Sequence, residues 1–275
     1  MKIKCDDFNL SATLESGQVF GFEKNNEGRY EGRIGAESVH LWKTNGTLHF
    51  LTCPLGTPSG GEGLANRVRR YFDLDQDLGK VYSALESEPL LATAYRPLKG
   101  LRLIRQDPWE ALACFILSSN NNIKRIMGIY QNLVRHFGGF PSASQLARTH
   151  ERMLRQLGLG YRAPFLLRTA QFLSTNPQYL ETVRSADYEE AHARVLAFPG
   201  IGPKVADCVL LYGFHRLDAF PVDVWILRAM RKLYFRNRRV NEARVHAFGQ
   251  KRWGPLAGYV QQYLFHGARS RIYEF

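Results

Sequence analysis

No other five residues constrain this chain as much as the turn Pro199-Gly200-Ile201-Gly202-Pro203. Its two glycines permit positive φ and let another molecule approach the backbone closely. Pro203 suits the first turn of a helix, where its missing N–H has no intrahelical partner to lose. The turn therefore predicts two short helices, over 188–197 and 203–214, joined by a loop whose N–H groups point at an anion. Lys204 then falls in the first turn of the second helix, at the positive end of the macrodipole. The dipole there disfavours a cation, and a nucleophilic lysine at neutral pH needs its neutral form to be accessible. Cys208 lies four residues on and shares a face with it, and Asp207, three residues on, is placed to pair with it. Further along, Pro221-Val222-Asp223-Val224 sets an aspartate at the start of a helix predicted over 223–235. A lone helical lysine is most often a solvated charge, and an aspartate at a helix start is a common N-cap. Together, after an anion-binding turn, they point to a site.

Charge is distributed unevenly. Residues 1–100 hold 12 Lys+Arg against 13 Asp+Glu, a net of −1, whereas residues 101–275 hold 25 against 12, a net of +13. A one-sided basic field has nucleic acid as its default partner. Cys5, Cys53, Cys114 and Cys208 are far apart and form no C-x-x-C pair. Neither a zinc site, an iron–sulfur cluster nor a disulfide framework is expected, and no metal or cofactor is called for. There is no apolar run of transmembrane length and no signal core at the N-terminus. The expectation is a reduced, intracellular monomer beside chromosomal DNA (nucleoid, or nucleus in a eukaryote), with no membrane partner.

Residues 29–34 and 38–42 alternate in polarity. Asn25-Asn26-Glu27-Gly28 and Thr44-Asn45-Gly46-Thr47 are turn signals, the second a hairpin cue. Pro54 to Gly63 reads as a Gly/Pro/Ser loop, and helical periodicity starts at Leu64. Asp107-Pro108-Trp109-Glu110 is an N-cap, a proline and an acidic first turn, opening a helix to Leu117. Further helices are predicted over 123–137 (ended by Gly138-Gly139), within 141–157, and over 163–173, 187–197, 203–214, 223–235, 241–252 and 256–268. The fold class is α+β: a small N-terminal antiparallel β-sheet domain with flanking helices (1–100), packed on a larger all-helical part (101–275) that carries a helix–hairpin–helix at about 188–214.

These residues resemble the 8-oxoguanine DNA glycosylase/AP lyase family of the helix–hairpin–helix base-excision glycosylases. Ser16-Gly17-Gln18-Val19-Phe20 is similar to that family's S-G-Q-x-F, and Ser118-Ser119-Asn120-Asn121-Asn122-Ile123-Lys124-Arg125-Ile126 to its S-S-N-N-N-I-x-R-I. Leu157-Gly158-Leu159-Gly160-Tyr161-Arg162-Ala163 resembles L-G-L-G-Y-R-A. The hairpin with Lys204, the P-V-D-V at Asp223, and Trp253-Gly254-Pro255 followed by Gln261 and Phe265 complete the ordered set. Each block is weak alone; their order along the whole chain is specific.

The resemblance implies roles. Lys204 would attack C1′ of the damaged nucleotide and form a Schiff base that permits β-elimination. Asp223 would stabilise the developing oxocarbenium charge. Cys208 would lie against the lysine and help recognise the base. Gly200, Gly202 and Val205 would hold a DNA phosphate. Asn120 would fill the space left by the flipped base, with Tyr161 wedged beside it. Arg125 and Arg162 would read the stranded cytosine through its acceptors. Gly17 would accept a hydrogen bond from N7–H of 8-oxoguanine, which ordinary guanine lacks, a discrimination of about 1–3 kcal/mol. Gln261 would satisfy the Watson–Crick edge and Phe265 would stack on the purine. The implied partner is double-stranded DNA containing 8-oxoguanine. Three positions depart from the animal pattern: Trp225 where a phosphate-contacting histidine is common, Tyr212 where a smaller residue is common, and His266.

Two other readings compete. A related glycosylase for another damaged base fits less well, because monofunctional relatives lack the lysine and several carry a cysteine-ligated cluster. A non-catalytic DNA-binding module explains the basic half but not Lys204 with Asp223.

Overall fold

Alternation in the first fifty residues becomes an antiparallel five-stranded sheet in the order β1-β5-β4-β3-β2. The strands of this computed structural model are β1 (Lys2–Lys4), β2 (Glu23–Lys24), β3 (Tyr30–Ile34), β4 (Glu37–Thr44) and β5 (Thr47–Thr52). The structure describes residues 1–52, 63–88, 91 and 95–272. Apart from Gly63, the loop expected from Pro54 lies outside them.

Glu37, Val39 and Leu41 of β4 are buried, and the residues between them are partly open. Tyr30 pairs with Leu41 and Leu41 with Phe50, so one face carries a row of large apolar side chains. The β4–β5 turn is Asn45-Gly46, with φ of 47° and 72°. Two positive φ values give the turn that follows the right-handed twist of its strands. α1 (Leu10–Leu14), α2 (Leu64–Tyr71) and α3 (Gly79–Glu86) follow in chain order. Leu10, Leu64 and Val68 join Phe8, Leu41, Phe50 and Phe72 in the core on this sheet.

Contacts divide the chain into two units, Met1–Arg105 with His215–Phe275, and Gln106–Phe214. The break expected at residue 100 follows charge and periodicity; by contacts, the C-terminal helices group with the sheet. The second unit is helical: α4 (Pro108–Ser118), α5 (Ile123–Phe137), α6 (Ala143–Ala147), α7 (Glu151–Leu154), α8 (Ala163–Thr175), α9 (Tyr179–Ser185), α10 (Tyr188–Leu196) and α11 (Pro203–Gly213). The chain then returns to the first unit with α12 (Val224–Tyr234), α13 (Glu242–Trp253) and α14 (Ala257–Arg269). Caps set these boundaries. Asp107, Asn122, Asp187, Asp223 and Asn241 each accept a hydrogen bond from a first-turn N–H. Gly138 ends α5 at φ 74°.

One buried carboxylate marks where the chain leaves and re-enters the first unit. Arg105 Nη2 lies 2.9 Å from Asp73 Oδ1, and His215 Nε2 lies 3.2 Å from Asp73 Oδ2. Burial pushes the Asp73 carboxyl up, but His215 and Arg105 outweigh it and hold it below its usual value.

Candidate active site

In the helical unit, sequence-distant blocks meet at Ser119. Its Oγ donates to the Gly200 carbonyl at 3.3 Å. Its own carbonyl accepts from Tyr161 Oη at 3.0 Å and from Arg162 Nε at 2.7 Å. Arg162 Nη2 donates to the Asn120 carbonyl at 2.7 Å. The Asn-rich loop, the glycine turn before α8 and the hairpin before α11 are thus tied together. Asn120 is exposed at φ 51°, and Tyr161 is 48% exposed. Arg125 is exposed on α5. Arg162 is only 2% exposed, and its guanidinium lies 4.4 Å from the Tyr161 ring centroid. In the free protein it organises the loop that presents Asn120.

The hairpin holds Lys204 as expected, with one difference in its glycines. Gly200 has φ 77°, and a Cβ there would stand 2.4 Å from the Phe165 ring. Only glycine fits. Gly202 instead has φ −102° and open space where a Cβ would be. Its value is therefore an unobstructed approach to the backbone rather than a special conformation. α11 has no side-chain cap, which leaves the first-turn N–H groups of Lys204 and Val205 facing outward from the helix start. Val205 itself is buried.

Lys204 Nζ lies 5.9 Å from the Phe115 ring centroid, and Phe115 stacks on Tyr212 at 5.3 Å. Tyr212 thus forms the second layer of an aromatic floor below the lysine. Cys208 is buried on the same helix. The pairing of Asp207 with Lys204 does not form. Asp207 is 2% exposed, accepts a hydrogen bond from Tyr188 and lies 3.5 Å from His192 Nε2. Its position on α11 turns it toward α10, away from solvent.

The other expected site residues belong to the first unit. Asp223 caps α12, its Oδ1 accepting from Ile226 N at 2.8 Å. Gln261 is 3% exposed; its Nε2 donates to the Pro221 carbonyl at 3.1 Å, while its Oε1 is buried with no hydrogen-bond partner. An unmet buried acceptor is costly unless something supplies a donor. Gly17 has φ 82°, and the residues on either side of it are fully buried. Gln18 Nε2 donates to Thr13, Ser16 and Arg102 at 2.9–3.1 Å, and its Oε1 accepts from Ile104 N at 2.8 Å. Gln262, next to Gln261, donates to the Ser16 carbonyl at 3.3 Å. The flanking serine and glutamines therefore hold the Gly17 turn in place. Phe265 is partly exposed on α14.

The sequence matches the 8-oxoguanine DNA glycosylase N-terminal domain over residues 1–112 and the HhH-GPD superfamily of base excision DNA repair proteins over residues 113–255. A probable N-glycosylase/DNA lyase of Methanothermobacter thermautotrophicus is 31% identical over 98% of this chain and 96% of its own length. The chain belongs to the 8-oxoguanine DNA glycosylase/lyase family. Membership carries the enzyme class: a DNA N-glycosylase with lyase activity. The N-glycosylase/DNA lyase of Saccharomyces cerevisiae is 30% identical over 96% of this chain and 84% of its own. The 8-oxoguanine glycosylase/lyase of Clostridium acetobutylicum, solved with double-stranded DNA containing cytosine opposite 8-oxoG, has a TM-score of 0.89 at 30% identity, covering 99% of this chain and 98% of its own. A 3-methyladenine glycosylase of Archaeoglobus fulgidus, at 19% identity and TM-score 0.76, shares the fold.

Among the described residues, no group of three His, Cys, Asp or Glu could hold a metal ion, and no helix is long and apolar enough to cross a membrane. Cys5, Cys114 and Cys208 are in no disulfide; Cys53 lies outside the described residues.

Buried His266 on α14 ties stability to pH. Burial and the Arg269 cation lower its pKa from 6.5 to about 4. The unfolded chain takes up a proton in that window and the folded chain refuses it. Stability present above pH 6.5 is therefore lost as pH falls toward 4. At about 1.4 kcal/mol per pH unit, the loss reaches about 3 kcal/mol. Urea unfolding between pH 7 and 4 is expected to show this slope, and His266→Gln to flatten it. Parallel profiles for the two proteins would refute the assignment.

Proposed function

We propose that this glycosylase excises 8-oxoguanine opposite cytosine from duplex DNA and then cleaves the strand through a Schiff base on Lys204. The observation that carries the reading is the convergence on Ser119. It ties the hairpin that bears Lys204 to the loops that present Asn120 and Tyr161. In this reading Asn120 and Tyr161 occupy and kink the stack around the extruded nucleotide. The phosphate of that nucleotide lies against the open backbone at Gly202, Lys204 and Val205.

The chemistry proceeds in balanced steps. The Lys204 amine, in its neutral form, attacks C1′, and the C1′–N9 bond breaks with its electron pair leaving on the base, which takes up the proton that the amine sheds on bonding to carbon. Asp223 offsets the positive charge that develops on the sugar. Ring opening gives an imine between Nζ and C1′. Loss of a C2′ proton then expels the 3′ phosphate. Base reading falls to Gly17, Gln261 and Phe265, and Cys208, on the helix of Lys204, contributes to recognition. Gln261 suits this role, since its unmet Oε1 can accept from the donor edge of a purine.

Charge supports a nucleic-acid partner. Residues 224–252 contain nine Lys or Arg and one acidic residue, Glu242. Among the described residues, Arg228, Lys232, Arg236, Arg238, Arg239 and Arg244 have no carboxylate ion pair. Some arginines elsewhere are paired, as Arg155 with Glu151 and Arg194 with Glu190. Uncompensated cations are free to replace counterions on phosphates.

The test of the reading is borohydride trapping on a duplex with 8-oxoguanine opposite cytosine. A covalent adduct with release of the damaged base is expected; binding with neither would overturn it. Arg125→Ala tests the opposite-base assignment. It is expected to narrow the preference for cytosine by about ten-fold or more, the scale of one charged hydrogen bond. An unchanged ranking of the four opposite bases would remove Arg125 from that role.

A further inference from the structure

Arg269 closes α14 one turn beyond Phe265, and neither the motif blocks nor the chemistry above uses it. Its guanidinium carbon lies 5.6 Å from the Phe265 ring centroid, on the ring face. Its Nη2 donates to the carbonyl of Glu15, a residue 254 positions away and two before Gly17. The same nitrogen lies 3.4 Å from His266 Nδ1, and Nε is buried without a hydrogen-bond partner. Burial lowers the pKa of this guanidinium, while the carboxylates of Asp223 and Glu15 act in the opposite sense. A cation in the last turn of a helix is ordinarily explained by the dipole and by solvation. Arg269 gives up part of its solvation to reach across to a loop backbone, and dipole complementarity needs no such reach.

The two ends of this bridge are the point. One end is the Glu15-Ser16-Gly17 turn, whose glycine carbonyl is assigned to N7–H. The other is the ring assigned to stacking. We propose that Arg269 is a positioning residue for damaged-base recognition, locking the Gly17 turn to the Phe265 ring so that both move as one wall of the base pocket. This rests on the roles given to Gly17 and Phe265 in the reading above. The planar guanidinium can hydrogen-bond a carbonyl and lie over a ring at the same time, whereas an ammonium holds one such partner as a point charge.

Two measurements decide the proposal, and they fail separately from that reading. Amide hydrogen exchange in the free protein reports the bridge without any reaction. Arg269→Met, which keeps much of the stem and removes the head, is expected to speed exchange over residues 15–18, with unfolding by urea still cooperative. Unchanged exchange there overturns the bridge. Excision reports its purpose. Single-turnover release of 8-oxoguanine is expected to fall about 10- to 100-fold, the cost of roughly an ångström of misplacement. Trapping at a preformed abasic site presents no base to read, so excision should fall at least about ten times further than trapping. Equal losses in both would indicate a general structural role and overturn the proposal. Arg269→Lys, the gentler change, is expected to recover only part of the excision; full recovery would show that charge alone suffices. If the wild type traps abasic DNA but never releases 8-oxoguanine, the base assignment fails, and exchange still decides the bridge.

Discussion

Lys204→Gln is expected to abolish the borohydride-trapped adduct and to slow base release by about three orders of magnitude or more, the scale on which enzymes lose a nucleophile. Glutamine keeps reach and polarity but cannot form an imine. The surroundings of Lys204 make the substitution clean. Its Nζ lies over the Phe115–Tyr212 stack, and the nearby Asp207 is engaged with Tyr188 and His192. No ion pair is therefore broken by removing the amine, and α11 keeps its packing. Lys204→Arg adds a second control. Arginine retains the positive charge at the hairpin and cannot deprotonate to attack. DNA affinity close to wild type with no adduct is the expected result. An adduct that survives in Lys204→Gln would move the nucleophile elsewhere. Wild-type protein that binds lesion DNA without ever being trapped would favour a non-catalytic module.

The sequence was most legible where the backbone itself demands a residue type. Gly200 could be placed in a tight turn because no other residue fits against Phe165. Asn45-Gly46 announced its hairpin for the same reason. Helix starts were readable because Asp107, Asn122 and Asp223 cap by a local hydrogen bond three residues on. Side-chain partnerships over long sequence distances were not readable. Helical spacing sets Asp207 near Lys204, but spacing along one helix does not reveal that α10 offers Tyr188 and His192. Arg162 is expected to read the stranded cytosine, and spacing alone does not reveal that in the free protein two of its nitrogens also hold the Asn-rich loop. Ser119, Gln18 and Gln262 lie within or beside the motif blocks without a role the motifs reveal, because their work is to hold backbone carbonyls set by the tertiary fold. α9 has no strong cap to announce it: Gln178 makes no side-chain cap hydrogen bond. The grouping of α12–α14 with the sheet depends on contacts between chain ends, which carry no local signal.

Asp223→Asn should separate two functions that one carboxylate performs. As an N-cap, Asp223 accepts from Ile226 N at 2.8 Å, and asparagine caps about as well as aspartate. The loss of negative charge at the start of α12 costs about 0.3–1 kcal/mol through the dipole, so the fold should survive with a small fall in stability. The chemistry should not survive equally. Removing a preorganised group from a developing charge costs on the order of 10²–10³ in rate. The adduct should still form slowly, since the amine remains. Asp223→Ala removes both functions and should add about 1 kcal/mol of destabilisation to the same rate loss. The pattern is diagnostic. If Asn restores both stability and rate relative to Ala, Asp223 is a cap and the oxocarbenium role is wrong. If Asn restores stability alone, the carboxylate charge acts on the sugar, and its position at a helix start holds that charge fixed through a hydrogen bond the protein needs in any case.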